Sequence, residues 1–433
     1  MRHGLPALAR CALALALLVA CGPADPPEGG TGGREGSEDR RGEDRRGWAD
    51  APDGLFGFRR TPTRGSLGSL GYAPGSEPAP SATGLIGWDR DRTEDGVTLL
   101  CSGDAAEAVL LSMAGEVVHR WALPYEELPG MPRLEGPHQR PWRRVRMLED
   151  GGLLAIHSGR ALVHVDRSSK LRWASSERVH HDLDVAPDGT IVALARTERV
   201  VPAVNASRPV VDDLLVRFGR DGERLGSVSL WDAFAASDWS PLLQQLTVRT
   251  GDVMHANSVD LLDGDEARRL GVPAVRAGQA LVCLRDLDLV VAVDLEEGRF
   301  TWLSRGPLAS PWRAPHDPSV SADGTLLIFD NRGGPGECSR LLRVDPASGA
   351  IRWRWQGSPP ASFASFFCGT VQPLAGGNLL VAESTQGRAF EVDGETGDVV
   401  WDYVSPRVAG GEGELIAALF MAERVARPAW LGR

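Results

Sequence analysis

From about residue 96 to 404 the chain alternates apolar and polar positions with period two. The alternating runs are short, and Asp or Gly turns break them. Val291-Ala292-Val293-Asp294 leads through Gly298 to Phe300-Thr301-Trp302. Leu342-Arg343-Val344-Asp345 leads through Gly349 to Ile351-Arg352-Trp353, and Phe390-Glu391-Val392-Asp393 leads through Gly397 to Val399-Val400-Trp401. Val163-His164-Val165-Asp166 through Lys170 to Trp173 is a fourth copy, and degenerate ones end at Trp121 and Trp231. Period-two alternation predicts half-buried strands, and the Asp-to-Gly turn between two of them predicts a hairpin.

A second hairpin precedes each of these. It is plainest in Asp184-Val185-Ala186-Pro187-Asp188-Gly189-Thr190-Ile191-Val192, and it recurs around Asp323-Gly324 and Gly376-Gly377. Two hairpins make a four-stranded sheet that cannot bury both faces alone. Six such units, repeating roughly every 50–70 residues, predict an all-β fold, a six-bladed β-propeller. The units fall at about 96–125, 143–175, 180–232, 255–303, 316–357 and 368–404. The Trp that closes each unit is expected to pack between blades. Residues 410–433 show no repeat, and Glu414–Glu423 is open between a short helix and a closing strand.

The ends differ from the middle. Residues 1–21 carry Arg2 and Arg10, then the apolar run Ala12–Ala20, which is too short to span a bilayer as a helix. The run ends in Leu18-Val19-Ala20-Cys21-Gly22, which resembles a bacterial lipobox. Cleavage before Cys21 and lipidation of its thiol would give an exported protein, lipid-anchored to the cell envelope, periplasmic or at the cell surface. An ordinary signal peptide with a chance Cys is the alternative. Residues 22–82 are rich in Gly, Pro and mixed charge and poor in apolar side chains, so a disordered tether is expected there. The propeller is expected over 83–433.

The net charge of −11 argues against a nucleic-acid partner. Membrane contact is expected through the lipid anchor only. Four cysteines remain beyond the leader: Cys101, Cys283, Cys338 and Cys368. They could form two disulfides in an exported protein or stay as free buried thiols, and no pair has zinc-ligand spacing.

Three histidine motifs recur at one phase of the repeat: His180-His181-Asp182-Leu183-Asp184, His255-Ala256-Asn257-Ser258-Val259 and His316-Asp317-Pro318-Ser319-Val320. Each opens the innermost strand of a blade, so His181, His255 and His316 are expected to converge at one mouth of the central channel. Alone, each would read as a histidine bonded to a neighbouring turn. Arg285, in Leu281-Val282-Cys283-Leu284-Arg285-Asp286, is expected on the second strand of the His255 blade. It would either face the same space or pair with Asp286 or Asp288. Three imidazoles alone suit zinc, but an adjacent guanidinium repels a cation and suits a tetrahedral oxyanion. No metal or other cofactor is expected.

These motifs, with Leu326-Leu327-Ile328-Phe329-Asp330-Asn331, Ser339-Arg340, Gly376-Gly377-Asn378 and Phe390-Glu391-Val392, resemble the bacterial arylsulfate sulfotransferase family over about residues 97–425. The chain is closest to its shorter branch. The resemblance implies transfer of a sulfuryl group from a phenolic sulfate to a phenol, without a sulfate-carrying nucleotide, through a sulfated histidine. It places the nucleophile on His316, with His181, His255 and Arg285 holding the sulfuryl oxygens and Asn257 as a further substrate contact. Trp312, Phe366 and Phe367 are candidate platforms for the phenol. The competing reading is a non-catalytic cell-surface propeller that binds a ligand or a protein. A quinone-dependent dehydrogenase would need a metal-ligand cluster or vicinal cysteines, which the sequence lacks.

Overall fold

A computed structural model describes residues 74–131, 141–247, 249–307 and 309–432. The leader, Cys21 and most of the expected tether lie outside these residues. Within them, six antiparallel blade sheets, five of four strands and one of five, follow one another along the chain. Their innermost strands are, in blade order, Leu419–Val425, Trp142–Met147, Val179–Val185, Ala256–Leu261, Pro315–Val320 and Thr370–Pro373. Each touches the next, and the ring closes between Thr370–Pro373 and Leu419–Val425. These contacts define a six-bladed β-propeller with one central axis.

Closure uses both ends of the described chain. The first blade takes its outer three strands from Val97–Ser102, Glu107–Leu111 and Val117–Ala122, and its inner strand from the C-terminal Leu419–Val425. The open question over Glu414–Glu423 is thus resolved as a closing strand. At the other end, Gly84–Trp88 pairs with Val399–Val404 as a fifth, outer strand of blade 6. Further upstream, the Ala79 amide donates to the Glu414 carbonyl and the Ala418 amide to the Pro74 carbonyl, at 3.0 and 2.7 Å. A propeller ring is closed only once its first and last sheets are joined, and here segments from both ends of the described chain share that task.

The tryptophans act as the repeat predicts. Trp121, Trp173, Trp355 and Trp401 each donate an indole N–H to a turn carbonyl in the following blade: Gly151, Arg220, Gly397 and Met113, at 2.8–3.0 Å. In blade 5 this residue is Trp355, two positions after the expected Trp353. Both indoles point to the same face of their strand, but only Trp355 reaches the Gly397 turn. Apolar clusters fill the spaces between blades. Two short helices, Leu230–Ala235 and Gly264–Leu270, interrupt the hairpin pattern. The second is a capping box, with Asp263 accepting from the Glu266 amide and Glu266 returning to the Asp263 amide. All four described cysteines are free thiols.

Side chains also stitch the inner strands to one another. Asp182 accepts from the Val259 amide, Asp184 from Leu261 and Asp317 from Val371, at 2.8–3.0 Å. Asn257 donates from Nδ2 to the Pro315 carbonyl at 2.9 Å.

Candidate active site

The inner strands do not run straight through the axis. In blades 2 to 5 the pairing register of the innermost strand slips near its start, between Trp142 and Val145, opposite Ala193/Ala195, between Ala256 and Ser258, and between His316 and Ser319. These are β-bulges, which turn a side chain out of the ladder. Backbone strain collects at the same level: His181, His255, Asp317 and Cys368 all adopt left-handed conformations, with φ of +51° to +57°. For residues with a Cβ this costs about 1–3 kcal/mol each, and such positions gather where a site demands them.

The structure brings the sequence-predicted residues together. The rings of His181 and His255 meet edge to face with centroids 5.0 Å apart. His181 and His316, both buried, line one axial pocket with Asp182, Asn257 and Asp317. His255 and Arg285 are partly exposed, with side-chain exposures of 18% and 21%. The Arg285 charge acts on both His181 and His316.

Arg285 corrects one expectation in detail. It does not lie on the second strand of its blade but just beyond it, in the 3₁₀ turn Arg285–Leu287 that follows Ala280–Leu284. Its amide donates to the His255 carbonyl at 3.2 Å, so the turn is docked on the histidine's own segment. The guanidinium is paired with Asp286. The pairing weighed against a site role is therefore present, and the charge still reaches the histidines.

Each histidine has a different second partner, and the partners set its proton. His316 Nδ1 lies 2.7 Å from Asn331 Oδ1 and 3.2 Å from the Ala314 carbonyl. Asn331 is oriented by its Nδ2, which donates to the Ser365 and Cys368 carbonyls at 2.7 and 2.6 Å. Two acceptors at Nδ1 require the proton there, so Nε2 carries the lone pair. Burial, then the Arg285 charge, holds the His316 pKa well below the ordinary histidine value. His316 is thus a neutral imidazole with a free nucleophilic edge.

His255 is the opposite case. Its Nδ1 is 2.8 Å from Asp252. Burial lowers its pKa, but Asp252 and Asp286 outweigh burial and raise it above the ordinary value. Asp252 in turn, pushed up by burial, is pulled down to about 2 by His255. His255 therefore holds its proton to higher pH than an ordinary histidine does. His181 Nδ1 sits 2.5 Å from His180 Nδ1, and His180 Nε2 is 3.2 Å from Asp213. Burial holds His181 well below the ordinary value.

Other candidates separate. Asn257 lines the pocket but commits its Nδ2 to Pro315, the residue before His316. Trp312 is fully buried and donates to the Asp288 carbonyl, so it packs between blades and offers no platform. Phe367 packs on the core of blades 1 and 2. Phe366 is 41% exposed, with the Arg332 guanidinium 6.0 Å from its ring. The sequence reading did not assign roles to Asn331, Asp252, Asp213 or Arg143. Only Asn331 had a local signal, as the end of the Leu-Leu-Ile-Phe-Asp-Asn strand. Among the described residues no group of His, Cys, Asp and Glu has metal-holding geometry.

The propeller and its site define a class: a ring of blades that gathers imidazoles near its axis, with the Arg285 guanidinium close enough to act on two of them. Residues 144–406 match the model of the arylsulfotransferase (ASST) family, and the chain belongs to that family. It is a transferase, an aryl sulfotransferase by family, whose substrates are aryl sulfates and phenols. Comparison with curated proteins finds no match. Solved structures with a similar fold include a protein of unknown function from Bacteroides caccae, 14% identical, covering 75% of this chain and 98% of that one at a TM-score of 0.48. Virginiamycin B lyase from Staphylococcus aureus is 12% identical over 75% of this chain and 89% of that one, at a TM-score of 0.41.

Proposed function

We propose that the chain transfers the sulfuryl group through a sulfated His316. The observation that carries this is the geometry at His316: Asn331 Oδ1 and the Ala314 carbonyl both face Nδ1, an arrangement that assigns the proton to Nδ1 and the lone pair to Nε2. In the first half-reaction, Nε2 forms a bond to sulfur while the sulfur–oxygen bond to the aryl group breaks. The electron pair leaves with the phenolate. His255 gives its Nε2 proton to that oxygen, and Asp252 stabilises the charge His255 carries beforehand. In the second half, the acceptor phenol's oxygen attacks sulfur, the nitrogen–sulfur bond breaks, and the acceptor's proton returns to His255. Arg285 and His181 face the sulfuryl oxygens, where preorganised donors are most effective. Asn257 acts through Pro315 to set the His316 strand.

Export as a lipid-anchored protein is part of the same proposal. It is supported by the charged and apolar leader ending in Leu18-Val19-Ala20-Cys21-Gly22. The tether over 22–82 would then carry the propeller away from the membrane.

The direct test is incubation with 4-nitrophenyl sulfate, with and without an added phenol. Release of 4-nitrophenol is expected, and an added phenol is expected to accelerate it by relieving the sulfated enzyme. No release with any aryl sulfate would defeat the proposal.

The opposed histidines also predict a pH profile. His316 must be neutral, and its pKa lies well below 6.5, so the acid limb of kcat/KM should fall below that value. His255 must be protonated, and its pKa lies above 6.5, so activity should decline as pH rises through that higher value. Asp252→Asn removes the largest force raising His255, against which Arg285 already pushes down. The alkaline limb should then move to lower pH, whereas an unmoved limb would assign it to another group.

A further inference from the structure

A buried cation beside the histidines is used neither by the motifs nor by the proposed reaction. Arg196 lies on Ile191–Val201, the second strand of blade 3, with 7% of its surface exposed. Ala195 pairs with Val179, so Arg196 stands at the end of the innermost strand where His180 and His181 lie. Its charge acts on both imidazoles.

Two other buried arginines show what a structural commitment looks like in this fold. Arg340 Nε is 2.6 Å from Asp330, and its terminal nitrogens reach the Ser310 hydroxyl and the Ser310 and Pro311 carbonyls at 2.7–3.2 Å. Arg424 Nε is 3.0 Å from the Thr98 hydroxyl, and a terminal nitrogen is 3.0 Å from Glu391. Arg196 differs: among the described residues it has no ion pair and no hydrogen bond from its side chain, and its Nε is buried without an acceptor.

The carboxylates near it are engaged elsewhere. Asp213 sits opposite Arg196 across the strands, but one oxygen accepts from the Ala256 amide at 2.9 Å and the other lies 3.2 Å from His180 Nε2. Asp252, whose charge also acts on Arg196, is held 2.8 Å from His255 Nδ1. The backbone keeps room for the guanidinium: Gly159 has φ +67°, and a Cβ there would lie 2.7 Å from an Arg196 terminal nitrogen. The same turn carries Arg160, and Arg178 precedes the inner strand. Both are exposed, neither has an ion pair among the described residues, and both charges repel Arg196. Three guanidiniums with one of them desolvated and no counter-ion form a site that an anion completes.

We propose that Arg196, with Arg160 and Arg178 at its rim, binds an oxyanion: the carboxylate or sulfate that an aryl acceptor carries besides its reacting phenol. His181, on which Arg196 acts, lines the axial pocket with His316, so an oxyanion at Arg196 lies beside the reacting groups. The planar guanidinium edge suits two-pronged contact with such a group. The choice of an acceptor as its carrier rests on the sulfuryl-transfer reading, whereas the oxyanion contact itself does not.

The test compares wild type, Arg196→Met and Arg196→Lys. The probes are 4-hydroxyphenylacetate and 4-ethylphenol, which present similar phenols with and without a carboxylate, and inorganic sulfate as a free oxyanion. With 4-nitrophenyl sulfate as donor, wild type should use 4-hydroxyphenylacetate about tenfold or more better in kcat/KM than 4-ethylphenol. Arg196→Met should bring that ratio close to one, and Arg196→Lys, which keeps the charge without the fork, should fall between. Taking the ratio cancels any effect of the substitution on His181. The second readout needs no turnover: 4-hydroxyphenylacetate should raise the melting temperature of wild type but not of Arg196→Met. Without ligand, Arg196→Met should melt at or above wild type, because an apolar side chain replaces an unpaired buried charge. Arg196→Lys carries the test if the Met variant does not fold. Equal use of the two acceptors by wild type, or variants that keep its preference and melting response, overturn the proposal. A response to inorganic sulfate that Arg196→Met abolishes, with no advantage for the carboxylate, overturns the acceptor as carrier and assigns the site to a free oxyanion. Failure of the His316 reading looks different: wild type gives no sulfated adduct with any aryl sulfate. The melting response of wild type against the variants then decides the Arg196 contact alone.

Discussion

His316→Ala should abolish sulfuryl transfer, with kcat reduced by about 10⁴ or more, the scale seen when a covalent nucleophile is removed. The measurement is intact-protein mass after exposure to an aryl sulfate without acceptor. Wild type should carry one sulfuryl adduct and the variant none. The substitution leaves Asn331 Oδ1 without its ring partner, but Asn331 keeps both of its Nδ2 bonds to Ser365 and Cys368. A stability loss of about 1–3 kcal/mol is therefore expected, and the protein should still fold. An unchanged adduct in the variant would move the nucleophile to another histidine.

Arg285→Lys should lower kcat/KM by about 10²–10³, although charge is conserved. Arg285 is paired with Asp286 while its charge acts on His181 and His316. A guanidinium can serve a carboxylate on one edge and an oxyanion on another. An ammonium is a point donor on a flexible stem and would be drawn to Asp286. The loss should appear in adduct formation as well as turnover. A lysine variant that forms the adduct at the wild-type rate would limit Arg285 to positioning the His255 segment, to which its turn is docked.

The histidine phase was legible because a propeller repeats in sequence as it does in space. A residue at the start of the first strand of each unit must reach the axis, whatever fills the rest of the blade. The tryptophans were legible for the same reason, apart from the choice between Trp353 and Trp355, which share a strand face. The pattern was blind where partners are remote. Asn331 lies 15 residues from His316 and is oriented by carbonyls 34 and 37 residues further on. Arg143 sits in a run of arginines around Trp142 whose alternation reads as a half-exposed strand, and only the bulge turns it to the axis. The two helices were missed because they are one-and-a-half to two turns long, too short for a helical period to outweigh the surrounding alternation.

By itself, then, the sequence determined the strands, their turns, the number of blades and the height at which three histidines meet, because period and turn chemistry are local. Tertiary structure alone decided that the last strand enters the first blade, that a bulge recurs in successive inner strands, and which imidazole holds its proton. Those outcomes depend on burial and on groups brought together through space: burial lowers all three histidines, Asp252 and Asp286 raise His255 against it, and Asn331 sits beside His316.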